Sequence, residues 1–324
     1  MELKNKQPKV SVIVPVHNAG KFFAGCMDSL VSQTLTDIEI ILVLDCPTDG
    51  SDLLAKQYAQ KDGRIKVIEN EVNLHVGFSR NKGLAAAAGE YIGFCDHDDC
   101  CEPDMFELLY KKASSDNLDI VGCNYSKKII TKKGIAEQKM SLYRSDAFDK
   151  LRYDSLYEII TRNPSGLGLI WLNLFKADFL RQNSILFVDT KKVAGEDILF
   201  SLVAHYYCRR EGFVEPHLYW HHVYPESTGA NQGYHSCQSI VAMLECMYSL
   251  LVKFDIYQKY QPVFINRTAK NLYSSFYRTI HQKSLKSVLE DIRLIKKSKI
   301  VKEHIDLLFS AKQWVPLFKK KPTA

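Results

Sequence analysis

The sequence predicts an α/β fold built on a largely parallel sheet, and three observations carry that prediction. Over the first 125 residues, short apolar runs alternate with longer stretches whose apolar residues recur at helical spacing. Three of the runs end abruptly in polar residues, at 15–18, at Asp45 and at 96–99. In open α/β sheets that is the rim where ligands sit, beyond the carboxyl ends of the strands. Beyond residue 235 the chain becomes helix-dominated, with Ile240, Met243, Leu244, Met247, Leu250 and Leu251 on one predicted face.

The elements follow in order. Residues 10–14 (VSVIV) form a first strand closed by Pro15, and His17-Asn18-Ala19-Gly20 is loop. A helix covers 21–32, on the spacing of Phe22, Phe23, Cys26, Leu30 and Val31. The second strand, 39–44, ends in the turn-rich Asp45-Cys46-Pro47-Thr48-Asp49-Gly50-Ser51. Helix 52–60, strand 64–68 and the alanine-rich helix 76–88 lead to a fourth strand, Tyr91-Ile92-Gly93-Phe94-Cys95. Helix 105–114 and strand 120–125 come next, and 128–139 reads as a polar hairpin or flap. Helix 146–161, the loop Asn163-Pro164-Ser165-Gly166-Leu167-Gly168, an apolar run 170–175 and a helix opened by Glu196-Asp197 follow. A short aromatic strand, PHLYWHH, ends in His221-His222. The predicted division is a catalytic domain over 1–234 and a basic helical extension over 235–324.

Composition narrows the function classes. Hydrophobic content of 46% and charged content of 25% are ordinary globular values. The net charge of +6 is uneven: residues 235–324 carry +10 and the remainder −4. A basic tail can lie on anionic lipid or be a solvated helical surface; no nucleic-acid motif accompanies it, so nucleic acid is not an expected partner. Nine cysteines without metal-site spacing predict reduced thiols. No apolar h-region opens MELKNKQPKV and no window offers about 18 uncharged apolar residues, so neither signal peptide nor membrane span is expected. No GxGxxG follows the first strand and no GxxxxGK[ST] occurs, which disfavours a dinucleotide dehydrogenase or P-loop NTPase.

The central stretch is Asp96-His97-Asp98-Asp99 at the end of the fourth strand. Three carboxylates there repel one another unless a divalent cation or hydrogen bonds offset the charge, and hard oxygens suit Mg²⁺ and Mn²⁺. The rival reading is a solvated acidic turn that starts the next helix, near Pro103. Glu196-Asp197 has a rival too, since acids in a first helical turn are favoured by the helix dipole alone.

These residues resemble the family 2 inverting glycosyltransferases of the GT-A fold. The likeness lies in VSVIVPVHNAGKFFAGCMDSLVSQTLTDIEIILV, in TDGS at 48–51, in SRNKGLAAAAGEYIGFCDHDD at 79–99 with its DxD motif, and in GEDILF at 195–200. It implies a Rossmann-like, mixed and mainly parallel sheet flanked by helices, with a helical C-terminal extension. It implies metal-dependent transfer of a sugar from a nucleotide-sugar, a UDP-sugar above all, to a glycan or lipid-linked hydroxyl in surface polysaccharide or glycolipid synthesis. Val14, Pro15, Val16 and Asn18 would line the nucleotide slot, and Asp45 would bond the uracil N–H. Arg80 would sit by the base or phosphates. Asp96 would address ribose and metal, and Asp98 would be the principal Mg²⁺ or Mn²⁺ ligand. Asp197 would be the general base with Glu196 beside it.

The sequence also departs from the family. Leu44 replaces the first of two aspartates that many members carry. His97 fills the DxD interior, as an exposed turn histidine or a support to the metal site. His221-His222 stands where members often have Tyr-Arg, so either histidine, His222 above all, is a candidate contact for the diphosphate or the metal. Residues 128–139 and the NPSGLG loop are candidate lids. The tail reads as a packing surface for a partner subunit, including a homodimer, or, through Trp314–Lys321, as a contact with the inner face of the plasma membrane around a cytoplasmic enzyme. The rival functions are a nucleotidyltransferase and a sugar-nucleotide-binding protein without turnover.

Overall fold

The computed structural model describes residues 7–141, 156, 159–160, 169–225, 227, 236–282 and 285–308. The NPSGLG loop, the tail 314–321 and most of the expected helix 146–161 lie outside the described residues.

The first half alternates as the sequence predicts. Strands β1 (Val10–Val16), β2 (Ile38–Leu44), β3 (Ile65–Glu69) and β4 (Tyr91–Phe94) are separated by helices α1 (Phe23–Val31), α2 (Ser51–Lys61) and α3 (His75–Ala86). Every residue of β1, β2 and β4 is buried, which is why they read as continuous apolar runs rather than alternating ones. Their registers are parallel, with Val16 beside Leu44 and Ile13 beside Phe94. The residues just past those ends therefore share one rim.

The second half differs from expectation. After β5 (Cys100–Cys101) and α4 (Met105–Ser115), β6 (Ile120–Thr131) runs six residues beyond its predicted end and turns into β7 (Gly134–Met140). This is the polar hairpin expected at 128–139. Strand β8 (Asn173–Lys176) lies between β4 and β6 and is antiparallel to both. It enters through a 3₁₀ turn (Ile170–Leu172) beside Gly93 and Gly122, at the functional rim, and runs back from there. No crossover over a sheet face is then needed, so the strand direction reverses. The last strand, β9 (Glu211–Val223), pairs in parallel with β6 and antiparallel with β5. The nine-stranded sheet has the order β3-β2-β1-β4-β8-β6-β9-β5, with β7 on β6. The sheet is mixed, as expected: β1–β2, β1–β4, β2–β3 and β6–β9 pair in parallel, and the four pairings of β4–β8, β6–β8, β6–β7 and β5–β9 are antiparallel, so the parallel pairings no longer dominate past β4.

Two helices precede β9, α5 (Ala177–Gln182) and α6 (Glu196–Tyr207). The C-terminal helices are α7 (Cys237–Lys253), α8 (Tyr257–Gln282), α9 (Leu285–Lys297) and α10 (Lys299–Leu308). They build a second apolar core with Ile198, Leu199 and Leu202 of α6, separate from the core around the sheet. Among the described residues no helix is long and apolar enough to cross a membrane. All nine cysteines are free thiols.

Candidate active site

The rim after β1 and β2 is a locked pair of loops. Asp45 N donates to the Val16 carbonyl (2.8 Å) and His17 Nδ1 to the Asp45 carbonyl (2.6 Å). Asn18 holds a left-handed backbone (φ +49°), and its Oδ1 accepts from Thr48 N at 2.7 Å. Asp49 accepts from Gly20 N (2.8 Å) and from the Ser51 hydroxyl (2.6 Å), so TDGS is the strut that shapes HNAG. Val14, Pro15 and Val16 are buried and offer backbone rather than side chains to this rim. Asp45 is buried too, and its Oδ1 accepts from Asn70 Nδ2 and Leu74 N, each at 2.7 Å.

The acidic turn is tied to the end of β9. Asp99 is 1% exposed and accepts from the Tyr219 hydroxyl (2.8 Å), His222 N (2.7 Å) and His221 Nδ1 (3.2 Å). Burial pushes its carboxyl up to about 7, against the pull of His221. Burial depresses the His221 imidazole, but the bond to Asp99 and the charges of Asp99, Asp96 and Asp98 together outweigh that and raise it. Asp99 is thus a buried anchor beside β5, and helix α4 begins only at Met105. The rival reading of this stretch as a solvated turn that starts the next helix does not hold for Asp99. His97 is not an exposed turn residue either: it is half-buried, and its Nδ1 donates to the Pro15 carbonyl at 3.0 Å. His222 Nδ1 donates to the Asp98 carbonyl (2.6 Å), and the Tyr224 hydroxyl donates to Asp98 Oδ2 (2.7 Å).

Arg80 joins the two acidic motifs. It projects from α3, is 4% exposed, and donates from NH2 to Asp96 Oδ1 and from NH1 to Glu196 Oε1, both at 2.8 Å. Asp96 and Glu196 thereby share one guanidinium, which reaches Glu196 from 116 positions away in sequence. Burial foremost, then the adjacent Asp197, pushes the Glu196 carboxyl up to about 7, with Arg80 opposing. Asp197 is half-exposed beside it, its Oδ1 accepting from Ile198 N at 2.9 Å. Gly195 precedes the pair with φ +68°, a left-handed value that costs a side-chain-bearing residue about 1–2 kcal/mol. That turn aims both acids from the start of α6. The structure thus brings Val16, Asp45, Arg80, Asp96, Asp98, Glu196, Asp197 and His222 to one rim through these bonds.

The donor set suits a partly shared cation. Among the described residues no three metal-ligating side chains converge. Asp98 and Asp96 are half-exposed carboxylates, each with one oxygen in a protein hydrogen bond. A hard ion that takes the rest of its shell from phosphate oxygens and water fits two such carboxylates; an ion that needs an all-protein cage does not.

Sequence reasoning missed Tyr219, Tyr224 and Phe22. The period-2 alternation of a strand places Tyr219 and His221 on one face and Trp220, His222 and Tyr224 on the other. Continuing it one step past the histidines would have found Tyr224. Phe22 stacks near both rings, 5.6 Å from His222 and 4.6 Å from Tyr224.

A mixed sheet thus carries an acidic turn on its rim and a second acidic pair joined to it by Arg80. The model for glycosyl transferase family 2 matches residues 11–179, and the chain belongs to that family. It is 34% identical over 220 residues to the uncharacterized glycosyltransferase EpsJ of Bacillus subtilis, covering 68% of this chain and 62% of that protein. It is 33% identical over 221 residues to the putative glycosyltransferase EpsH of the same organism, at the same coverage. The chain therefore spans about three fifths of the length of these curated relatives. Among solved structures, S. aureus TarS 1–349 in complex with UDP-GlcNAc superposes with a TM-score of 0.64 at 22% identity, covering 93% of this chain and 83% of that one. The mannosyltransferase PcManGT from Pyrobaculum calidifontis, in complex with GDP-Man and Mn²⁺, gives 0.53 at 15% identity, covering 98% and 89%. Those two likenesses speak for the GT-A fold.

Proposed function

We propose that the chain is a metal-dependent inverting glycosyltransferase that moves a sugar from a UDP-sugar to a hydroxyl of a glycan or lipid-linked acceptor. The observation that carries this reading is Arg80, which binds Asp96 of the acidic turn and Glu196 of the GED motif at once. It joins a donor-side carboxylate to an acceptor-side pair. The uridine donor is supported by the likeness to TarS with UDP-GlcNAc, and Mn²⁺ by PcManGT with GDP-Man and Mn²⁺.

In this reading the backbone of Val14, Pro15 and Val16, with Asn18, forms the base and ribose slot, and Asp45 stands at its floor. Its Oδ1 is committed to Asn70 and Leu74, so base recognition falls to Oδ2. A Mg²⁺ or Mn²⁺ ion held by Asp98 and Asp96 would supply counter-charge to the leaving diphosphate. Asp197 takes the proton from the acceptor hydroxyl as that oxygen forms its bond to the anomeric carbon and the bond to phosphate breaks. Single displacement inverts the anomeric centre and needs no covalent nucleophile. Glu196 is occupied by Arg80, which leaves Asp197 as the base. Arg80 acts from beneath the site, between the carboxylates, rather than by reaching the uracil. The basic balance of residues 235–324 supports peripheral contact with the anionic inner face of the plasma membrane, and the same helices suit a homodimer contact.

A panel of nucleotide-sugars with Mn²⁺ or EDTA, read as nucleoside diphosphate release, tests the reading. Metal-dependent release of UDP from one donor is expected. Release of pyrophosphate would instead mark a nucleotidyltransferase, and binding without release would mark a non-catalytic protein.

A further inference from the structure

The end of β9 makes more contacts with the acidic turn than pairing in a sheet requires. Tyr219 accepts from Asp96 N (3.2 Å) while donating to Asp99. His222 bonds the Asp98 carbonyl through its ring and Asp99 through its backbone. Tyr224, just past β9, reaches the carboxylate of a candidate ligand, donating to Asp98 Oδ2 at 2.7 Å. The phenol commits one oxygen of Asp98 and leaves Oδ1 for a ligand.

The phenol is itself held. Its ring lies 4.6 Å from that of Phe22, in the 3₁₀ turn Gly20–Phe22 that follows the loop after β1. Tyr224 therefore spans the slot from the β1 loop to the acidic turn. A half-exposed aspartate without such a donor samples several rotamers, and a ligand that needs one of them must pay the ordering entropy on binding.

We propose that Tyr224 is a positioning residue that preorganises Asp98 for the cation-bound diphosphate of the donor. The inference rests on the donor reading above. Fixing one side chain in advance corresponds to about a threefold to tenfold gain in affinity.

The test is calorimetry of UDP binding to the full chain in Mn²⁺ and in EDTA, comparing wild type with Tyr224→Phe. The phenylalanine keeps the ring on Phe22 and removes only the hydroxyl. The expected result is a Kd about threefold to tenfold weaker in Mn²⁺, with the EDTA value and the melting temperature unchanged. If Tyr224→Phe melts lower, Phe22→Leu replaces it, since loosening the ring's support should produce the same Mn²⁺-selective loss. A Kd within twofold of wild type in Mn²⁺, or equal losses with and without metal, overturns the positioning role. If wild type binds no UDP in either condition, the donor reading fails and the inference falls with it.

Discussion

Replacing Arg80 with methionine is the sharpest perturbation of this site. The side chain is 5% exposed and pairs with Glu196, 11% exposed, and Asp96, 31% exposed. Removing one partner of a buried ion pair costs about 3–5 kcal/mol, because the other charge stays behind without compensation. The Glu196 pair is buried, but its carboxyl sits near 7 and takes up a proton in the variant, which caps that cost at about 1.4 kcal/mol for the one pH unit between 7 and 8. The Asp96 pair opens to solvent, and screening holds it to about 0–1 kcal/mol. With about 1–2 kcal/mol of lost hydrogen bonding, the expected loss at pH 8 is about 2–4 kcal/mol, dominated by Glu196. The cost depends on pH with a definite sign. The folded-state value of Glu196 is already raised from 4.5 to about 7, by burial first, and Arg80 is what restrains it. A raised carboxyl contributes stability fully below its unfolded value and loses it as pH rises through the folded one. In Arg80→Met the folded value climbs further, so at pH 5 Glu196 is protonated and the cost shrinks to about 1–2 kcal/mol of lost hydrogen bonding. Urea unfolding at pH 5 and pH 8, followed by the fluorescence of Trp171 and Trp220, measures both. A loss under about 1 kcal/mol at pH 8, or an equal loss at both pH values, would refute a buried, charged Glu196–Arg80 pair.

Three further outcomes follow from the same geometry. Asp197→Asn should lower turnover by about 10²–10⁴-fold as the base is lost while UDP binding by calorimetry stays within about twofold; a large loss of binding would move Asp197 to the donor side. Asp98→Ala should abolish the Mn²⁺-dependent part of UDP binding, and an undiminished Mn²⁺ effect would remove Asp98 from the cation. Gly77→Ala should cost about 1–3 kcal/mol in thermal or urea unfolding. Its new Cβ would lie 2.4 Å from the Val188 carbonyl oxygen, a backbone atom that cannot swing aside, and an unaltered Tm would show that α3 shifts freely against residues 188–190.

The strands of the first half were legible because burial on both faces writes itself as an unbroken apolar run; β2 is buried from Ile38 to Leu44. Loop chemistry was legible for the same local reason, since Asn18, Thr48, Asp49 and Ser51 bond within that rim. What was not legible depends on contacts distant in sequence. The direction of β8 is set by where the chain re-enters the sheet, which four residues of pattern cannot reveal. Asp99 looked like a helix starter until β9 covered it, with the Tyr219 hydroxyl 120 positions away in sequence. Arg80 could be placed near the donor by its motif, but its bond to Glu196 appears only when α3 and α6 meet.

The sheet and the C-terminal helices share one helix. Helix α6, which opens with Glu196 and Asp197, divides its faces between the two cores: Phe200 and Ala204 belong to the sheet's core, while Ile198, Leu199 and Leu202 belong to the core of the C-terminal helices. The residue before the GED motif is tied there as well, since Ala194 N donates to the Ser239 carbonyl of α7 at 3.1 Å. A Cβ at Gly195 would stand 3.8 Å from Met243 of α7. The turn that aims the candidate base is therefore wedged between sheet and extension. A helix packed on both sides keeps its first turn in place, since close-packed interiors transmit displacement rather than absorb it. The C-terminal helices thus hold Glu196 and Asp197 in place through packing, whatever else their basic surface touches.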